Sequence, residues 1–351
     1  MKKKFLALML SALMIGATAC GGNTKKTESN KEMTANEEIT GKVRIYTSMY
    51  EDIIAGMKPE LKKKFPKCDI EFFQGGTGTL QTKIAGEIEA GKLACDIIMV
   101  AEPSYAYELK EKKVLHKFEI ENKDKLAFDY DKEGYWYPVR ISNMVLAYNP
   151  DKTKKEAVAQ SFKEFAEKES LTGKISMSDP LKSGTALAAI GGLKDKYKDE
   201  YFTNLSKRKV AVEAGSVALT KLETGEMDEL MILEESVLKK RQEENSSLEV
   251  IYPTDGTIVV PSPIMVVDEK LTENKNTKAA EAISKWFLSE EGQSFIVKGW
   301  MHSVLKDYKE VPFDAIKTSE ITANSTKVNW EQLVKDRDSL RKMFTDTIGK
   351  R

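Results

Sequence analysis

The chain has 351 residues, 55 of them Lys or Arg against 55 Asp or Glu, and 41% are hydrophobic. A formal net charge of zero with no long basic stripe excludes an ordinary nucleic-acid binder, and 31% charged residues suit a soluble globular body. Three cysteines and two histidines, His116 and His302, are too few and too scattered for a zinc centre, so the histidines read as surface or packing residues.

Lys2, Lys3 and Lys4 form a basic start, and Phe5 to Ala17 is an apolar run of secretory-signal length. Ala17, Thr18 and Ala19 then lead into Cys20, a small-residue site that resembles a bacterial lipobox, with Ala17 where Leu is commoner. The pattern predicts a signal peptide over 1–19, cleavage before Cys20 and acylation of that cysteine. The alternatives are an ordinary secretory peptide or an uncleaved anchor. No later stretch reaches the ~20 apolar residues of a membrane span. Residues 21–40 are rich in Asn, Thr, Ser, Glu and Lys, with Met33 and Ile39 their large apolar residues. Such a segment buries too little to order itself, and as a flexible coil it reaches roughly 25 Å. The expected location is the cell envelope, lipid-anchored on the periplasmic or extracellular side of a membrane. Loss of the signal leaves 52 basic against 55 acidic residues.

From Gly41 onward about 310 residues remain, enough for two lobes of ordinary domain size. Val43 to Tyr46 reads as a strand, and Glu51 to Phe65 sets Ile53, Ile54, Met57, Leu61 and Phe65 at helical spacing. Asp69 to Phe73 is a strand, Thr79 to Ala90 a helix, and Ile97 to Val100 a strand apolar on both faces. This alternation predicts a doubly wound α/β lobe. Met144 to Tyr148 is a strand ending at the turn Asn149-Pro150-Asp151. A second α/β unit follows, with strands at Lys174 to Met177, Lys209 to Val212 and Glu229 to Leu233. Its helices are expected at Gly184 to Lys196 and Ser216 to Glu223. Ile258 to Val267 is extended, but Pro261 and Pro263 argue against a regular central strand through its middle and read as hinge stiffeners. A helix over Thr277 to Leu288 and a more polar helical part with Trp300 and Trp330 complete the chain. The expected fold class is α/β, two doubly wound lobes joined by two crossover strands. The first lobe spans 41–143 plus 262–351 and the second 144–261.

Cys68 and Cys95 each open an apolar run, CDIEFF and CDIIMV. Export would allow one disulfide between them, provided their Cα atoms come within ~7 Å.

Three Gly- or Ser-bearing turns fall at strand-to-helix junctions: residues 46–50, 75–79 and 178–186. Ligands of open α/β sheets bind outside the carboxyl ends of strands, where such turns lie. Unpaired N–H groups and the positive dipole end of a helix attract an anion there, hydroxyls add donors, and Gly admits the backbone closely. Each turn alone is equally an ordinary helix cap. Neither dinucleotide nor Walker-type spacing is present, and no nucleophile–base or metal motif demands an enzyme.

Together the lipobox, tether, YTS, GGTGTLQTKIAGEIEAG, CDIIMVAEPSYAYEL, SDPLKSGTAL and YPTDGTIVVPSPIMVV resemble the substrate-binding lipoproteins of bacterial ABC importers. They are similar to the two-lobed type II group often labelled iron(III)-binding, which also contains binders of phosphorylated and phosphonylated metabolites. The resemblance runs from about Gly41 to Gly299. It implies lobes closing over a small anionic metabolite, delivery to a permease with its ATPase, a monomer, no cofactor and no turnover. It places Ser48, Thr77, Gly78, Ser183, Gly184 and Thr185 around a phosphoryl or phosphonyl group, with Glu234 meeting the organic part. Arg140 can pair bidentately with an oxyanion or serve as a hinge ion pair. Tyr50, Tyr105 and Trp136 can stack on a ring or pack within the lobes. Iron-binding members present two adjacent tyrosines where this chain has Glu234 and Glu235 in MILEES. Ferric iron held by these carboxylates is therefore the alternative ligand.

Overall fold

The computed structural model describes residues 39–349. The signal segment, Cys20 and nearly all of the tether lie outside the described residues. The first lobe opens with β1 (Gly41–Thr47), α1 (Glu51–Lys64), β2 (Cys68–Gln74), α2 (Thr77–Glu89), β3 (Ile97–Met99) and α3 (Ser104–Glu111). Each helix follows the periodicity of its apolar residues, so that Ile53, Ile54, Met57 and Leu61 of α1 form its buried stripe. A two-residue strand β4 (Leu115–His116) precedes β5 (Trp136–Tyr148), which is buried along its whole length.

The second lobe continues with α4 (Phe162–Glu167), β6 (Ile175–Ser178), α5 (Gly184–Lys207), β7 (Ala211–Glu213), α6 (Gly215–Thr224), β8 (Glu229–Leu233), α7 (Glu234–Glu244) and β9 (Glu249–Ile251). Helix α5 is broken at Lys198, whose φ is 60°, two residues past the expected end of that helix. Gly225, at φ 80°, closes α6 in the left-handed conformation that glycine adopts without strain. Strand β10 (Thr257–Val267) returns, followed by α8 (Thr277–Phe287), α9 (Glu290–Lys298), α10 (Thr318–Ala323), β11 (Ser325–Thr326) and α11 (Trp330–Thr347).

The main sheet runs β2-β1-β3-β10-β5-β8-β6-β7. In one half β1 pairs in parallel with β2 and β3, and in the other β6 pairs in parallel with β7 and β8. The antiparallel pair β5 and β10 joins the halves. Tyr137, Val139 and Ile141 of β5 enter one apolar core, whereas Met144, Leu146 and Tyr148 of the same strand enter another. Likewise Ile258 and Val260 of β10 face the second core, while Ile264 and Val266 face the first. Two α/β lobes therefore share two continuous strands.

Three findings differ from the sequence reading. Pro261 and Pro263 do not interrupt β10, which pairs with β5 through them, with one register shift between Ser262 and Pro263. Between the segment on β11 (257–258) and that on β3 (264–266), β10 has β5 alone as ladder partner. A missing proline N–H on the other edge breaks no ladder. Second, Cys68 and Cys95 are free and buried. They sit in different clusters, Cys68 with Val43 and Ile45, Cys95 with Tyr46. Since alternate side chains of β1 point to opposite faces, so do these thiols.

Third, the apolar face of α11 does not enter the first-lobe core. Its Leu333, Leu340 and Phe344 are buried in the second-lobe core beside Phe202 and Leu205, each such burial contributing about 1.5–3 kcal/mol. Short β11 pairs with the second-lobe end of β10, at Thr257 and Ile258. That pairing carries the chain across a third time.

The free thiols make a direct prediction. Without reductant, a thiol reagent should leave Cys68 and Cys95 untouched in the native protein and label both in denaturant. Labels appearing only after reduction would contradict this.

Candidate ligand-binding site

The lobes meet along a seam that encloses a cavity of about 340 Å³. Ser48, Tyr50, Gln74, Gly76, Thr77, Ala101 and Arg140 line it from the first lobe and the crossover. Ser142, Ser178, Asp179, Ser183, Gly184, Thr185, Glu213 and Glu235 are among those completing it. Besides α1, whose cap position Tyr50 lines the cavity, four helices begin at this wall. Their capping positions are Gly76 for α2, Ser183 for α5, Ala214 for α6 and Leu233 for α7. Only Ser183 caps its helix through its side chain, accepting from the N–H of Ala186 at 3.2 Å. The other three helices start without a capping side chain, and in α2 the Gly78 N–H is met by Lys182 O of the other lobe.

Arg140 dominates the electrostatics. It is 3% exposed. Its Nη2 donates to Ser48 Oγ at 2.9 Å and its Nη1 to Met301 Sδ at 3.1 Å. Its Nε has no hydrogen-bond partner among the described residues, and no carboxylate there comes within ion-pair distance. Burial lowers its pKa from the ordinary arginine value, opposed by the negative charge of Glu235.

The two candidate carboxylates have separate fates. Glu234 is turned away from the cavity and saturated. Its Oε2 accepts from Asn143 Nδ2 at 2.6 Å and lies 3.0 Å from His302 Nε2, and its Oε1 accepts from the Tyr252 hydroxyl. His302 also bonds Thr318 Oγ1 at 2.9 Å. Glu234 is thus a buried tie between crossover and loops and does not line the cavity. Glu235 faces the cavity, with Ser142 Oγ donating to it at 3.1 Å. Burial pushes its carboxyl up to about 7, against the pull of Arg140 and Ser142.

The remaining expected residues divide in the same way. Ser48, Thr77, Ser183, Gly184 and Thr185 line the cavity, with Ser183 and Thr185 hydroxyls 3.0 Å apart. Gly78 lies at the seam, its N–H donating to Lys182 O of the other lobe at 3.3 Å. Gly184 also serves the seam, since a Cβ there would come within 2.9 Å of Thr77 Cγ2. Tyr50 lines the cavity and its hydroxyl bonds Ser236 Oγ across the cleft at 3.0 Å. Tyr105 and Trp136 are buried in the first-lobe core, where Trp136 meets Tyr107 edge-on. Among the described residues no group of three His, Cys, Asp or Glu side chains is placed to hold a metal ion. Sequence reasoning missed Ser142, in the middle of β5, and Glu213, at the end of β7, and touched Asp179 only as part of the 178–186 turn.

Two α/β lobes on shared crossover strands, with a polar cavity at the helix starts between them, define a ligand-capturing clamp. The chain belongs to the bacterial extracellular solute-binding protein family, whose model matches residues 57–303. No curated protein matches it. Among solved structures, iron-bound HitA from Pseudomonas aeruginosa superposes with a TM-score of 0.75 at 19% identity, covering 86% of this chain and 99% of its own. AfuA from Actinobacillus pleuropneumoniae, with fructose-6-phosphate bound, gives 0.76 at 20% identity over 89% of this chain and 99% of its own. The substrate-binding protein of an ABC transporter from Agrobacterium tumefaciens gives 0.76 at 15% identity over 90% and 96%. At these identities the likeness is one of fold. The fold is thus the two-lobed type II one shared by ferric and sugar-phosphate binders, and no helix among the described residues is long and apolar enough to cross a membrane.

Glu235 generates a stability prediction. Its folded pKa stands above its unfolded value, so its contribution is full below about pH 4 and lost as pH rises through about 7. Glu235→Gln should therefore stabilise the empty protein above pH 7 by something of order 1–3 kcal/mol. The gain should vanish near pH 4, as read by denaturant melts at both pH values. A pH-independent difference would show that the carboxyl is not desolvated.

Proposed function

We propose that this protein is the lipid-anchored capture component of a bacterial ABC importer. It takes a small phosphorylated or phosphonylated metabolite between its lobes, as a monomer without a cofactor, and hands it to a permease driven by its ATPase. Arg140 carries this reading. A guanidinium buried against one hydroxyl and one thioether is costly unless a counter-charge joins it. An oxyanion entering the cavity supplies that charge, and its other oxygens meet the uncapped helix starts of α2, α6 and α7. Hydroxyls of Ser48, Ser183 and Thr185 add donors. Beside such an anion Glu235 is held neutral, and its carboxyl proton becomes one more donor. Tyr50 gives the organic part an aromatic wall.

Ferric iron, bound by the Pseudomonas protein, is the competing ligand. With Glu234 committed to Asn143, His302 and Tyr252, only one carboxylate of the pair is free to serve it. The two ligands differ in proton linkage. An anion beside Glu235 draws in a proton, whereas Fe³⁺ expels one.

Thermal melts should therefore rise with hexose phosphates or phosphonates and not with the dephosphorylated compounds. Ser183→Ala with Thr185→Ala should weaken that binding at least roughly tenfold, and Arg140→Gln roughly a hundredfold. Calorimetry at pH 7.5 in buffers of different ionisation enthalpy should show proton uptake. Proton release together with stoichiometric iron would replace phosphate by iron as the ligand.

A further inference from the structure

Helix α11 belongs to one lobe by its apolar face and to the other by its charges. Leu333, Leu340 and Phe344 are buried in the second-lobe core. Arg337, on the same helix, donates through Nη1 to Glu108 and through Nη2 to Ser104 Oγ at 3.0 Å, both on α3 of the first lobe. One turn on, Arg341 Nη2 reaches Gln81 Oε1 of α2 at 3.5 Å. Beneath them lies Glu102, 0% exposed. Its Oε2 accepts from the N–H of Ser104 at 2.7 Å, while its Oε1 has no hydrogen-bond partner among the described residues. Gly184 of the second lobe presses on it, since a Cβ there would stand 3.1 Å from Glu102 Cγ. Burial pushes its carboxyl up, opposed first by the charge of Arg337, then by the hydrogen bonds from Ser104 and by the charge of Arg341.

We propose that α11 is a closure latch: anchored on the second lobe, it grips Ser104, Glu108 and Gln81 of the first through Arg337 and Arg341 and gives buried Glu102 its counter-charge, holding the lobes together even when the cavity is empty. The helices it joins belong to different cores, linked by the crossover strands. Parting the lobes at Gly78 and Lys182 takes α3 from α11 and returns Glu102 to water. Contacts made only in the shut form shift the equilibrium toward it, so they raise ligand affinity without touching ligand. Solvated arginines regain their rotamer freedom on opening, which keeps the latch reversible.

The Gly78 amide reads closure directly, because its N–H donates to Lys182 O across the seam. In the ligand-free protein, native-state amide exchange should show Gly78 protected. Arg337→Ala with Arg341→Ala should lower that protection roughly five- to tenfold, while the amide of Ile190, inside α5, keeps its protection. Ser104→Ala with Glu108→Gln removes the grip from the first-lobe side without altering α11, and should do the same should the arginine variant loosen its own helix. Gly78 exchanging freely in the wild type, or keeping full protection in the Ser104/Glu108 variant, overturns the latch. An equal loss at Ile190 in both variants overturns it too, since that is global destabilisation.

Discussion

The antiparallel pair of β5 and β10 is the constraint on which the molecule depends. Each strand is long enough to serve two cores, and each contributes alternating side chains first to one lobe and then to the other. Relative motion of the lobes must therefore be absorbed where those strands cross. There the ladder is single-sided on β10, a register shift falls between Ser262 and Pro263, and Pro138 stands opposite Pro263. Arg140, Ser142 and Asn143 are all residues of this crossing. The crossing of the lobes and the floor of the cavity are one piece of backbone, so under the proposed function a ligand held by Arg140 would act on the segment that joins the lobes.

Electrostatics divides the surroundings of that floor into satisfied and unsatisfied groups. Glu234 accepts from Asn143 and Tyr252 and lies beside His302, bonds that brace the start of α7, while Asn143 Oδ1 has no partner among the described residues. Glu235, one residue on, is held by a single serine hydroxyl in a buried place beside a guanidinium with no ion-pair partner. Unsatisfied buried charge is expensive, and concentrating it at a cavity lined by helix starts is the arrangement in which a ligand recovers the cost. The second concentration, Glu102 under Arg337 and Arg341, lies on the seam and is met by the protein's own charges. One cluster faces the cavity between the lobes, whereas the other lies against Arg337 and Arg341 of α11.

Much of this was legible in the residues. Apolar periodicity placed α1, α2, α5 and the strands between them within a few residues, because a helix or strand must bury its own stripe whatever its neighbours do. The hydroxyl- and glycine-rich turns at 46–50, 75–79 and 178–186 were legible as a shared wall, since a strand-to-helix junction faces the carboxyl edge of a sheet wherever the sheet stands. Glu234 and Glu235 could not be told apart. On a helix consecutive side chains diverge by about 100°, and which of the two meets the cavity depends on how α7 is rotated against Asn143 and Tyr252.

What the sequence by itself determined is therefore local and periodic: the α/β alternation, the two lobes, the polar junctions and the polar segment that precedes them. Only the tertiary structure decided the rest. Pro261 and Pro263 run through an unbroken β10 because the edge their missing N–H groups face has no strand beside it. Cys68 and Cys95 stay thiols because the pleat sends them to opposite sides of a sheet. Helix α11 crosses to the second lobe because β11 pairs at the far end of β10. Each outcome rests on contacts between residues tens to hundreds of positions apart, whose pairing is set by the packing of whole elements and leaves no periodic trace in any one of them.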